Sequence, residues 1–450
     1  MPLTTQTYWA EHAWLGATVE QGVLIATSPA GRITAVRPGT AAPPVGAVTL
    51  RGLTLPGLAN AHSHAFHRAL RSATQVGGGT FWTWRTAMYE MAAALTPDSY
   101  YTLARAVYAE MALAGITCVG EFHYVHHGPG GTRYGDPALM AKALVAAATA
   151  AGIRITLLDT CYLAAGFGEP LSGTQLRFSD GTAEAWAERA DALSGGPTAR
   201  LGAAIHSVRA VPADALTTVA RFAQERGRPL HVHLSEQPRE NEDCLRAHGR
   251  TPTQLLNDHG VWGPRTTAVH ATHLTDEDIA LLGRSATTVC LCPTTERDLA
   301  DGIGPAGPLR AAGSPLCVGS DSHAVIDLLA EARAVEEHER LRTRARGHFT
   351  AGQLLRAASD EGHAALGWPE AGRLEPDALA DFTTVALDSV RTAGPPRRMA
   401  LEAAVYAATA ADVRHTVVGG LHIVRDGAHQ LVHDIPEALR EAISALRTTR

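Results

Sequence analysis

Short apolar groups broken by Gly and Pro fill the first fifty residues. GVLIATSPAGRITAVRPGT (22–40) and VGAVTL (45–50) read as strands joined by turns. The same texture returns late in the chain. ADFTTVALDS (380–389) is followed by TVVGGLHIVRDGAHQLV (416–432), with a turn at Arg425, Asp426 and Gly427. Neither end has enough strands to be stable alone, so the two predict one small β-sandwich-like domain made of residues 1–50 plus 375–435. Between them the pattern changes. Eight β-rich runs, at 53–62, 116–124, 153–162, 200–208, 229–236, 266–274, 287–296 and 315–323, alternate with longer stretches of helical period such as DPALMAKALVAAATAAG. Eight such units over residues 51–374 predict an α/β fold, a (β/α)8 TIM-type barrel. An open doubly wound sheet would also alternate, but neither GxGxxG nor GxxxxGK[ST] follows any strand.

Composition narrows the possibilities. Of 450 residues, 39 are Lys or Arg and 45 Asp or Glu, a formal charge of −6. That excludes a strongly basic nucleic-acid footprint and a polybasic membrane anchor. The six Cys are scattered in apolar runs without a CxxC pair, as expected of small buried residues in a reducing compartment. MPLTTQTYWAEHAW lacks the basic and apolar regions of a signal peptide, and no run reaches the roughly 18 apolar residues of a membrane helix. A soluble, cytoplasmic protein is expected, with a small-molecule partner and neither nucleic acid nor membrane.

The histidines change the picture most. The chain has 22, and 12 of them lie in or just beyond the eight β-rich runs, where barrel chemistry is placed. His62 and His64 flank Ser63 after the first run. His231 and His233 precede Glu236 after the fifth. Residues i and i+2 of an extended segment face one side, so either pair could grip an ion. His270 ends the sixth run and Asp321 the eighth. A carboxylate ending an apolar strand needs a partner for its charge. Three His and one Asp at strand ends form the donor set of a zinc-type site that a water completes.

This combination resembles the amidohydrolase superfamily of metal-dependent barrel hydrolases, in particular its mononuclear, deaminase-like branch. The HSH, HxxE, strand-six His and SD motifs carry the likeness. The resemblance implies His62, His64, His233 and Asp321 as ligands of one Zn²⁺ per subunit. It implies Glu236, His270 and Asp321 as catalytic residues, with Asp321 accepting a proton from water and Glu236 carrying one to the leaving nitrogen. Members with two metals bridge them by a strand lysine, whereas Lys142, the single lysine, lies in a helical run. Longer strings are similar to the formimidoylglutamate deiminase family: NAHSHAFHRAL, FWTWR, AEMALAGITCVGEFHYVHH, HSVRAV, HVHLSEQ, VHATHLT, and DGIG before GSDSH. That family converts N-formimino-L-glutamate and water to N-formyl-L-glutamate and ammonia in histidine degradation. The likeness implies substrate contacts from His67, Arg85, Tyr124, His206 and Arg209, and a homodimer. His67 replaces an expected Gln, and Arg297 and Asp298 are further departures, which leave the fine substrate contacts open. His273, His123, His126 and His127 are read as structural or loop groups. The alternatives are another deaminase of the branch acting on an aminated heterocycle, and a non-catalytic barrel scaffold.

Overall fold

The computed structural model describes residues 5–448. Sixteen strands lie among them. The first four are β1 (Gln6–Trp14), β2 (Val19–Thr27), β3 (Ile33–Arg37) and β4 (Val48–Pro56). Eight more follow: β5 (Leu58–Ser63), β6 (Ile116–His123), β7 (Arg154–Cys161), β8 (Ala199–Ile205), β9 (Leu230–Leu234), β10 (Thr266–His270), β11 (Thr288–Leu291) and β12 (Leu316–Val318). The last are β13 (Phe382–Val385), β14 (Val413–Val418), β15 (Leu421–Arg425) and β16 (Ala428–His429).

Strands β5 to β12 pair in chain order, each parallel to the next, and a parallel bridge between Ser63 and Asp321 joins last to first. The result is the nearly closed (β/α)8 barrel that the alternation predicts. Every residue of β6 and β7 is buried, as a parallel sheet covered on both faces requires. Local chemistry sets the helices between them. Residues Pro97–Leu113 start from Thr96, whose side chain accepts from the Ser99 N–H, with Pro97 opening the first turn. Residues Leu139–Ala151 stop at Gly152, left-handed at φ +80°, before β7 begins.

The second sheet draws on both chain ends, in the order β16-β15-β14-β13-β4-β1-β2-β3. Its own core includes Tyr8, Val23, Ile25, Leu50 and Phe382. The run at 53–62 is therefore not one strand. Its first part belongs to β4, which pairs with β1 and β13, and the Gly57 N–H donates to the Asp381 carbonyl before β5 enters the barrel. The run at 287–296 is also shorter than its apolar pattern suggests. Only Thr288–Leu291 is strand, and Pro293 opens a helix over Pro293–Asp298. Arg154 of β7 ties the two sheets. Its Nε and Nη2 donate to Asp381 at 2.6 and 3.0 Å, both side chains being buried. Among the described residues no helix is long and apolar enough to cross a membrane.

Candidate active site

His62 and His64 sit at the C-terminal end of β5, where its register against β6 shifts between Asn60 and Ser63. Such irregularities re-aim side chains, and here both imidazoles point into the barrel mouth. His62 Nε2 lies 3.1 Å from His233 Nε2 and 3.4 Å from Asp321 Oδ1, and His64 Nε2 lies 3.5 Å from the same oxygen. The far nitrogens explain why these atoms converge. His64 Nδ1 donates to the Phe122 carbonyl at 2.9 Å and His233 Nδ1 to the His206 carbonyl at 2.8 Å. A carbonyl can only accept, so each ring carries its proton on Nδ1 and turns the Nε2 lone pair inward. Burial lowers the proton affinity of His62, His64 and His233, which favours the neutral, ligating form. Burial alone would push the Asp321 carboxyl up, but hydrogen bonding to His62 and the neighbouring imidazoles hold it well below the usual carboxylate range. Lone pairs and one charged carboxylate crowded together are the chemistry of a divalent-metal site: ligand atoms of His62, His64 and His233 lie within 4.8 Å of one another, and Asp321 comes as close to His62 and to His64. His231 stays outside. It shares a face with His233 but lies two residues, one barrel layer, below it, where it meets the Ala365 carbonyl at 3.1 Å.

The second half of the site comes from the next strand ends. His270 closes β10 at φ +70°, and its Nε2 is 3.6 Å from Glu236 Oε1 and 3.8 Å from Asp321 Oδ2. Its Nδ1 is 3.5 Å from Glu296 Oε1. Burial would lower its proton affinity, but these three carboxylates raise it. Burial also pushes the Glu236 carboxyl up, with the Asp321 charge adding to the effect. Ser235, His270, Ala271, Asp321 and His323 all have positive φ without being glycine. Strain of this kind persists where surrounding contacts hold the chain, and here it marks the rim of the site.

One cavity of about 50 Å³ brings the remaining candidates together. It is lined by His64, His233, Asp321, Glu236 and His270, and by all five expected substrate contacts: His67, Arg85, Tyr124, His206 and Arg209. His62 lies immediately behind them. His67 Nε2 is 3.1 Å from the Tyr124 hydroxyl. Arg85 stacks over Trp82 at 4.6 Å while also facing the cavity. Arg209 donates from Nε to Glu240 at 2.6 Å. The walls add Phe81, Trp84, Met88, Tyr89, Tyr162 and Leu299. Tyr162 was legible as an aromatic just past β7; Met88, Tyr89 and Leu299 carry no such mark. The sequence reading also missed Glu121, a buried acid in an apolar strand that accepts from Ser63 Oγ and the Ala65 N–H, each at 2.7 Å. The rule that singled out Asp321 applies equally to it.

The structural histidines fall outside the cavity. His273 donates to the Asp301 carbonyl at 2.8 Å, His126 to the Thr160 carbonyl at 2.8 Å, and His127 pairs with Asp180 at 2.9 Å. Arg297 and Asp298 also point elsewhere, Asp298 accepting from Gln75 at 2.7 Å. Lys142 pairs with Asp136 on an outer helix. The six cysteines are buried and unpaired.

Known proteins carry the same architecture. Residues 53–422 match the amidohydrolase family model. The chain is 38% identical to a formimidoylglutamate deiminase of Pseudomonas aeruginosa, over 94% of this chain and 95% of that one. It is 30% identical to an 8-oxoguanine deaminase of the same organism, over 84% and 83%. A crystal structure of an amidohydrolase from Brucella melitensis superposes with a TM-score of 0.90 at 33% identity, covering 98% of this chain and all of that one. Barrel, histidine-aspartate cluster and family match over most of the length agree: the chain is an enzyme of the amidohydrolase family.

Proposed function

We propose that this enzyme hydrolyses N-formimino-L-glutamate to N-formyl-L-glutamate and ammonia, as a cytoplasmic step of histidine degradation, with one zinc ion in each subunit of a homodimer. The observation that carries the reading is one cavity in which His64, His233, Asp321, Glu236, His270 and two guanidinium groups converge, with His62 in contact with His233 behind it. The likeness to the Pseudomonas deiminase supports the substrate. In this reading the barrel of residues 51–374 performs the reaction and residues 1–50 with 375–435 support it.

His62, His64, His233 and Asp321 would hold the metal, which when bound supplies the Lewis acidity that makes water nucleophilic near neutral pH. The chain's own groups supply the rest. Water adds to the amidine carbon, and Asp321 takes the proton that water loses. His270 hydrogen-bonds the attacking oxygen and orients it, with Glu296 facing its far nitrogen at 3.5 Å. Glu236, its carboxyl pushed up by burial, holds a proton close to neutral pH and delivers it to the departing nitrogen. That nitrogen is then an amino group. The proton held by Asp321 passes to it while the hydroxyl of the adduct gives its own proton to Glu236. The carbon–nitrogen bond breaks, ammonia leaves and the formyl carbonyl forms, with both acids returned to their starting states. Arg85 and Arg209 bind the two carboxylates, for which a planar guanidinium is suited. Tyr124 and His67 lie beside the reacting end, and His206 supports His233 through its backbone carbonyl.

The test is ammonia release from N-formimino-L-glutamate against a panel of aminated purines, pyrimidines and pterins, with metal content measured on the same protein. Turnover of the formimino compound and about one metal per chain are expected. Activity on ring amines alone would overturn the substrate. A protein with neither metal nor ammonia release would overturn the enzyme reading.

A further inference from the structure

Glu240 takes no part in the reaction above, yet its carboxylate touches two segments that the reaction needs. It stands in the first turn of the helix Pro238–His248 and is 1% exposed. One oxygen accepts from Arg209 Nε at 2.6 Å; the other accepts from the Ser235 backbone N–H at 2.9 Å. Ser235 is left-handed at φ +48° and immediately precedes Glu236. Its carbonyl is held from the other side by the His273 N–H at 3.0 Å. A non-glycine residue adopts that conformation only where contacts secure it.

Both oxygens of the buried carboxylate are therefore spoken for, one by a side chain of the substrate wall and one by the turn that presents the proton carrier. Among the described residues Arg209 hydrogen-bonds to protein through Nε, and its guanidinium lies 6.0 Å from the Phe81 and Trp82 rings. Its two terminal nitrogens have no protein acceptor among the described residues, and the residue lines the cavity. Clamping Nε fixes the plane of the guanidinium and leaves its outer fork free for a carboxylate.

We propose that Glu240 is a positioning residue that sets the preference of the site for a dicarboxylate, by aiming the fork of Arg209 and anchoring the Ser235 turn with one group. This deepens the proposed function and rests on it in one respect, that Arg209 grips a substrate carboxylate. Substitution separates the two contacts. In Glu240→Gln one oxygen still accepts from Ser235, but the amide NH2 then faces Arg209 Nε–H, donor against donor. In Glu240→Ala both contacts are lost.

The experiment uses the metal-loaded enzyme and titration calorimetry with three ligands: N-formyl-L-glutamate, N-formyl-4-aminobutyrate, which lacks the α-carboxylate, and N-formyl-L-norvaline, which lacks the distal one. Glu240→Gln is expected to weaken N-formyl-L-glutamate about tenfold. It should weaken one monocarboxylate to the same degree and leave the other, lacking the carboxylate that Arg209 grips, within twofold. Arg209→Ala should give the same pattern, and adding Glu240→Gln to it should cost nothing more, since groups acting through one contact are not additive. In turnover, Glu240→Gln raises KM with little change in kcat, whereas Glu240→Ala also lowers kcat. Equal weakening of all three ligands, or a loss that adds fully to that of Arg209→Ala, would overturn the inference; so would a wild type that binds none of them. Failure of the wild type to release ammonia from N-formimino-L-glutamate counts against the proposed function instead, while the binding cycle still decides the role of Glu240.

Discussion

At the residue scale, an imidazole in this barrel is defined by what holds its far nitrogen. His64 and His233 each donate from Nδ1 to a backbone carbonyl and so offer Nε2 as a ligand, while His126 and His273 spend their own donors on carbonyls outside the cavity. Sequence spacing cannot see those carbonyls, which belong to Phe122, His206, Thr160 and Asp301 on other elements. It also could not separate His231 from His233, because parity fixes a side chain's face and not its depth in the barrel. Glu236 is the sharpest test at this scale. Glu236→Gln keeps the shape but cannot carry a proton, so kcat should fall about 10²- to 10⁴-fold. Metal content, measured by elemental analysis, should stay at the wild-type level. A fall of less than threefold would remove Glu236 from the proton path.

At the element scale, strand ends do the positioning and their neighbours set the tolerances. Gly319 follows β12, two residues before Asp321. A Cβ there would lie 2.7 Å from His62 Cβ and 2.8 Å from the His62 backbone N and O. Those atoms belong to a fully buried strand and cannot swing aside. Gly319→Ala should therefore cost about 1–3 kcal/mol of stability and reduce metal content together, since the strain falls on His62, one of the proposed ligands. Unchanged metal loading would show that β5 can yield. The Arg154–Asp381 pair is the corresponding tie between the sheets. Asp381→Ala leaves a buried guanidinium without its carboxylate, and a loss of about 3–5 kcal/mol in urea denaturation is expected. The same Asp381 explains the division of the run at 53–62. Its carbonyl takes the Gly57 N–H, a contact across more than 300 residues that no local pattern announces.

At the scale of the whole molecule, stability is linked to what the native state binds. Only the folded barrel assembles His62, His64, His233 and Asp321, so a metal held there stabilises the fold by mass action, about 2.7 kcal/mol at a hundredfold excess over Kd. Removing metal with a chelator should lower Tm measurably, and His233→Ala should abolish the difference between metal-free and metal-loaded protein. An unchanged Tm would argue that the cluster holds no ion. A second dependence comes from Asp412 at the start of the last strands. Burial pushes its carboxyl up, but Arg391, the Ser389 hydroxyl and the Thr409 N–H outweigh that and hold it at about 2. An unfolded aspartate titrates near about 3.9. A depressed carboxyl stabilises the fold above the unfolded value, and that contribution fades as pH falls from about 4 through 2. Asp412→Asn should accordingly be less stable than wild type at pH 6, and the gap should close as pH approaches 2. A gap that stays constant with pH would exclude this linkage.

Hydrophobic period and strand-end polarity, both local properties, determined the barrel, the sheet built from the chain ends and the strand ends at which the candidate residues gather. Local order was enough because a buried parallel strand must be apolar throughout and must then turn polar where it meets solvent. The depth of each histidine, the protonated nitrogen, the split at Gly57 and the two-armed contact of Glu240 were decided by tertiary structure alone. Each rests on a backbone or carboxylate group brought close from a distant or differently directed segment. Hydrogen bonds are specified by atoms within about 3 Å, and folding, not residue order, sets which atoms lie that close.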